Sequence, residues 1–141
     1  MILTRFDWFQ NLDLFLLLNI YIALNTAPLP CIPVALVSGL IQDAFSGGII
    51  GMNAFSKTVV AYFIAVLSSR LMIKHPVILM LLVAIATTVD LLAIHLLYRL
   101  FSLPPALLSY LAFIQATVLN MVVGVLGFHI AERVRTRMEY A

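Results

Sequence analysis

Two aspartates stand in sequence that is otherwise apolar, and any chemistry this chain performs must begin with them. Asp43 lies in Ser38-Gly39-Leu40-Ile41-Gln42-Asp43-Ala44-Phe45-Ser46-Gly47-Gly48-Ile49-Ile50-Gly51, and Asp90 follows Thr87 and Thr88 within a long hydrophobic run. In hydrocarbon an ionisable side chain costs roughly 2.5–3.5 kcal/mol on insertion scales, so each one calls for a partner or a task. Asp43 has three readings. It can fix a turn by accepting backbone N–H bonds where a helix breaks, contact a partner's helix, or hold a ligand or proton. For Asp90 they are a buried carboxyl bonded to Thr87, Asn120 or Gln115, partner recognition, and ion or proton transport. Asn19, Gln115 and Asn120 sit inside other apolar runs, where an amide more often joins helices than binds solute. His95 comes five residues after Asp90, off its helix face, which argues against a metal site. The chain has no GxxxxGK[ST], no HExxH and no CxxC, and no spacing that pairs a nucleophile with a base. The expectation is a protein without enzymatic activity, cofactor or metal.

The elements that carry these residues follow from composition. Of 141 residues, 64% are hydrophobic and 10% charged, and the mean hydropathy is +1.13. Soluble domains carry roughly 25% charged residues, so the bilayer must be the solvent. At about 20 residues per spanning helix the length allows at most five or six spans and no folded domain outside them. Continuous runs such as Val77–Ile85 lack the alternation of a membrane strand and predict helices. The single cysteine, Cys31, excludes an intrachain disulfide.

Five segments emerge: about Leu12–Leu24, Pro33–Gln42, Asn53–Ser69, Val77–Leu100 and Ala106–Ile130. Asn25 to Pro30 reads as a tight loop, and the ten-residue second segment as half of a helix broken at Asp43–Gly48, or as part of a longer span ending near Gly51. The expected architecture is one all-α integral-membrane domain over 1–141, a polytopic bundle of about five transmembrane helices with a Gly/Asp-rich break and a basic tail over about 132–141. Arg133, Arg135 and Arg137 of that tail would anchor at anionic headgroups, at about 1 kcal/mol each. Five spans put Arg70, Lys74 and these three arginines on one face, and Arg5, Lys57 and Arg99 on the other. The excess places the C-terminus in the cytoplasm and the N-terminus outside. Ala35/Gly39, Gly47/Gly51, Ala61/Ala65 and Ala112/Ala116 are small pairs four apart that let backbones approach.

The pattern Gly39-x-x-x-Asp43-x-x-Ser46-Gly47-x-x-x-Gly51 resembles the signature of the MreD family of rod shape-determining membrane proteins. Asp13 to Tyr21, Val89-Asp90-Leu91-Leu92, and Asn120 followed by an apolar run and Arg133-Val134-Arg135 fit the same family in order. The resemblance implies a non-enzymatic scaffold subunit of the bacterial cell-wall elongation complex in the cytoplasmic membrane. It also implies MreC as a direct partner, with the MreB filament, a SEDS glycan polymerase and a class B penicillin-binding transpeptidase as further members of the assembly. Bilayer and protein, and no nucleic acid, are the implied contacts. Gly39, Asp43, Ser46, Gly47 and Gly51 would define the break, with Asp90 and Asn120 as a buried polar pair. Family members typically begin with a further helix and have about six spans. Without it a packing face is left for a partner helix. The family is also similar in outline to the substrate-binding subunits of energy-coupling vitamin transporters. On that reading the chain is a small-solute-binding or transport subunit, and a cavity lined by Asp43, Asp90 or Asn120 would mark it.

Overall fold

The computed structural model describes residues 12–70, 75–104 and 110–140, and among these every regular element is helical. The helices are α1 (Leu14–Asn25), α2 (Pro28–Ser46), α3 (Met52–Arg70), α4 (Pro76–Leu100) and α5 (Tyr110–Glu139). Expectations that rest on Arg5, on Lys74 and on a fifth segment starting at Ala106 fall outside the described residues. The integral-membrane helical bundle predicted from composition is what forms. Helices α2 to α5 are each long and apolar enough to cross a membrane. Their outward faces carry exposed Leu36, Phe63, Leu81, Leu96 and Ile114, as lipid requires.

Several boundaries differ from the sequence reading, each for a local reason. The second helix starts at Pro28 rather than Pro33 and has 19 residues, not ten. Pro28 takes the first helical position and Pro30 the first turn, where no N–H is needed, so the loop shrinks to Thr26-Ala27. Pro33 is carried inside the helix. The Gly/Asp segment therefore separates two full-length helices and does not divide a half-span. At the far end α5 continues to Glu139, because Ala131 to Glu139 contains no glycine or proline to stop it. The basic tail is thus helical, and α5 spans about 45 Å at 1.5 Å per residue.

Helix α1 has 12 residues, about 18 Å against a hydrocarbon core of about 30 Å. Its start is capped by Asp13, which lies beside Gln42 and Asn120 within the bundle. Its end lies at the level of Ser68, whose hydroxyl donates to the Ala23 carbonyl, and of Arg135, which donates to Asn25. Helix α1 therefore lines only the half of the bundle nearer the Arg70 end.

Helix α3 is central, packed against α1, α2 and α4. The core is built from Leu16, Leu17 and Ile20 of α1, Ala35 of α2, Val60, Ala61, Ile64 and Ala65 of α3, and Leu82, Val83 and Ala86 of α4. Helix α5 rests on the outside of α4 and reaches α1 through Phe128, whose ring centre lies 5.6 Å from that of Tyr21. The closest approach joins α2 to α3. A Cβ on Gly39 would fall on the Cα of Ala54 and 2.6 Å from its amide nitrogen. Ala35, Ala61 and Ala65 are buried in the same manner, whereas Gly47 and Gly51 lie in the turn and not on a helix face.

Gly39→Ala is expected to lower the stability of the detergent-solubilised chain by roughly 1–3 kcal/mol, the usual cost of overpacking. Gly127, whose Cβ position is open, serves as the control. Equal melting temperatures for Gly39→Ala and Gly127→Ala would refute the close packing of α2 on α3.

Candidate functional site

The turn between α2 and α3 is organised by Asp43. Helix α2 ends because Gly47 adopts φ +64°, and Gly51 at φ +105° turns the chain into α3. A side chain at either would be strained. Asp43, buried, then accepts four bonds from the start of α3. One carboxylate oxygen takes the amides of Gly51 (2.8 Å) and Ala54 (3.3 Å), the other the amide and side-chain Nδ2 of Asn53 (3.1 and 2.8 Å). Three of these are backbone donors at a helix N-terminus, which has no internal acceptors of its own. Ser46 donates its hydroxyl to the Asp43 carbonyl. Of the three roles open to Asp43, this geometry is that of turn-fixing.

A second set of polar groups lies deeper, and the chain builds it from all five helices. Lys57, wholly buried, places its Nζ 2.7 Å from Asp13 Oδ2 and 3.7 Å from Asp90 Oδ2. Ser56 donates to Asp90 Oδ1 at 2.5 Å. Gln42 Nε2 donates to Asp13 Oδ2 at 3.3 Å. Asn120 accepts from the Asp13 amide at 3.1 Å and donates to Thr87 Oγ1 at 3.3 Å. Asn53 joins the two sets, because its Oδ1 lies 3.5 Å from Lys57 Nζ while its amide nitrogens serve Asp43. The spacing is helical throughout. Asn53, Ser56 and Lys57 share one face of α3, and Thr87 and Asp90 one face of α4. Further along α1, Asn19 and Ser38 exchange two hydrogen bonds at 2.7 and 3.1 Å and tie it to α2.

Two expectations are corrected. Asp90 and Asn120 are both buried but do not bond each other, nor does Asp90 bond Thr87. The Asp90 carboxyl turns toward α3, where a cation and a hydroxyl wait, and Asn120 turns toward the start of α1. Lys57, counted among the face-setting basic residues, is buried and anchors no headgroup. The sequence reading passed over it and over Asp13, although a lysine inside an apolar run with Asn53 and Ser56 on its face was a visible signal. Asp13 carried a fainter one, as a capping residue directly ahead of an apolar segment. Arg133, Arg135 and Arg137 lie exposed on the last turns of α5.

Beside the network is a cavity of about 340 Å³ between α1, α4 and α5. Asp13, Gln42, Asn53, Thr87, Asp90 and Asn120 supply its polar lining, and Leu16, Ile94 and Phe113 its apolar walls. Asp43 is not part of it and borders a smaller recess under the turn, of about 210 Å³.

Comparison with known families decides the identity. Residues 3–130 match the family of the rod shape-determining protein MreD. The chain belongs to the MreD family. No curated protein and no solved structure matches it. The match covers the Asp43 turn, Lys57, Asp90 and Asn120, so both polar sets lie on the family portion of the chain.

Lys57→Met is expected to destabilise the bundle by about 3–5 kcal/mol, because it leaves the buried Asp90 and the partly buried Asp13 without their cation. Combining it with Asp13→Asn should recover part of that loss. Thermal unfolding of the two variants and the parent chain in one detergent measures this, and a double variant no better than the single one would show that the ion pair is not the source.

Proposed function

We propose that this MreD-family chain is a non-enzymatic scaffold of the cell-wall elongation complex. It holds MreC and the wall synthases, a SEDS glycan polymerase and a class B penicillin-binding transpeptidase, in register with the cytoplasmic MreB filament. Family membership over residues 3–130 supplies the role in rod shape. The observation that carries the scaffold reading is the cross-linked polar network. Five helices donate to a single buried set, so their outer faces are held at fixed relative positions. A rigid set of faces is what helix-to-helix docking needs, since association in lipid depends on close packing.

The orientation follows from charge. Arg70, Arg133, Arg135 and Arg137 lie toward one end of the bundle, as the bonds from Ser68 to Ala23 and from Arg135 to Asn25 show. Arg99 lies at the other, at the end of α4. With Lys57 withdrawn from the count, the excess at the α5 end is clearer, and this end faces the cytoplasm of a bacterial inner membrane. In a Cys31→Ser background, Ile50→Cys should react with an impermeant thiol reagent in intact spheroplasts, and Met138→Cys only after lysis. The reverse pattern would invert the topology.

A pull-down of the tagged chain from solubilised membranes tests the partners. MreC and the wall synthases should co-purify, and Asp43→Ala, which removes the acceptor for the turn, should lower MreC recovery severalfold. Absence of all wall proteins from the eluate would end the scaffold reading. The solute-binding alternative draws on the cavity bordered by Asp90 and Asn120. A small molecule retained through purification in place of wall proteins would favour it.

A further inference from the structure

The cavity between α1, α4 and α5 has acceptors that the described residues leave poorly served, and these define what it can hold. The donors described around it are each engaged at least once within the protein. Thr87 donates to the Val83 carbonyl, Asn120 Nδ2 to Thr87, Gln42 Nε2 to Asp13, and Asn53 Nδ2 to Asp43. Two acceptors remain poorly served. Gln42 Oε1 is buried without a partner among the described residues. Asp90 Oδ2 lies 3.7 Å from Lys57 Nζ, beyond hydrogen-bond reach. Charge points the same way, because Asp13 and Asp90 share the single ammonium of Lys57. A group that fills this deficit donates hydrogen bonds and carries positive charge.

We propose that the cavity is a binding site for a primary ammonium group, from either a free amine or an amine-bearing lipid headgroup. An ammonium offers three donors and no acceptor on a compact centre. A guanidinium would bring five donors to a site with few free acceptors. Gln42 Oε1 and Asp90 Oδ2 receive the N–H groups, and Leu16, Ile94 and Phe113 accommodate the carbon chain behind it. The site stands whether the chain is a scaffold or a transporter.

The test uses the full chain in phosphatidylcholine nanodiscs, with thermal unfolding followed against ethylammonium, tetramethylammonium and sodium at constant ionic strength. Ethylammonium should raise Tm in a saturable manner, since a ligand of the folded state stabilises it by mass action. Tetramethylammonium, which has charge but no N–H, and sodium should not. If the natural source is a lipid, phosphatidylethanolamine in the disc will abolish the ethylammonium shift and remain bound on release into native mass spectrometry. If it is a free amine, the shift will persist in those discs. Asp90→Asn should eliminate the response. Should that variant fail to fold, Gln42→Leu is read instead, with a midpoint weaker by roughly tenfold, the equivalent of one charged hydrogen bond. No shift with ethylammonium would overturn the proposal and leave a proton as the neutralising charge. Equal shifts with tetramethylammonium or sodium would also overturn it.

Discussion

The arrangement of this protein depends on one buried ammonium group. Lys57 lies on the central helix with no exposure, and in a hydrocarbon interior that is tolerable only because Asp13 meets it at 2.7 Å with Asp90 close behind. Each carboxylate is held by further bonds, from Leu16, Gln42 and Ser56. A buried ion pair is weak support for stability in itself, since desolvation offsets most of its attraction. What it does supply is specificity. Because these three charges must converge, they favour one relative placement of α1, α3 and α4 over the many that interchangeable leucine faces would allow.

The Asp43 turn works on a different principle. It neutralises its carboxylate with backbone amides at a helix start and needs no cation. The two devices meet at Asn53, which serves Asp43 with its nitrogens and lies near Lys57 with its oxygen. Together with the close contact at Gly39, they make α2 and α3 the most firmly joined pair in the bundle. Helix α5 is the opposite case. It is held by Asn120 to α1 and α4 and buries little of its length, which leaves most of its surface to lipid or to a partner.

Much of this was legible in the sequence. Composition alone required a helical membrane bundle, and the glycines flanking Asp43 marked the turn. The boundaries of α3 and α4 follow from where apolar residues begin and end. What could not be read was pairing across helices. Sequence spacing shows that Asn53, Ser56 and Lys57 share a face, but not that Asp13, 44 residues earlier, meets that face. The same limit explains why Asp90 was matched with Asn120. Both are buried, and burial is visible in an apolar run, whereas direction is not. The prolines misled in another way. Pro28 and Pro30 look like part of a loop, yet both occupy the first turn of α2, where a missing donor costs little, while Pro33 is carried inside the helix.

The short first helix carries a consequence for biogenesis. Its cap, Asp13, emerges from the ribosome well before Lys57, and the last group to contact it, Asn120, is 107 residues away in the chain. During synthesis, then, a carboxylate destined for the membrane interior has no counter-charge until α3 arrives, and its backbone N–H has no Asn120 to accept from it until α5 arrives. Helix α1 cannot settle in hydrocarbon on its own account. It is too short to cross, and its leading end is charged. Its integration must be deferred, waiting at the aqueous boundary or in a protected channel until the later helices provide a seat. Insertion order and final depth are thus set by the same aspartate.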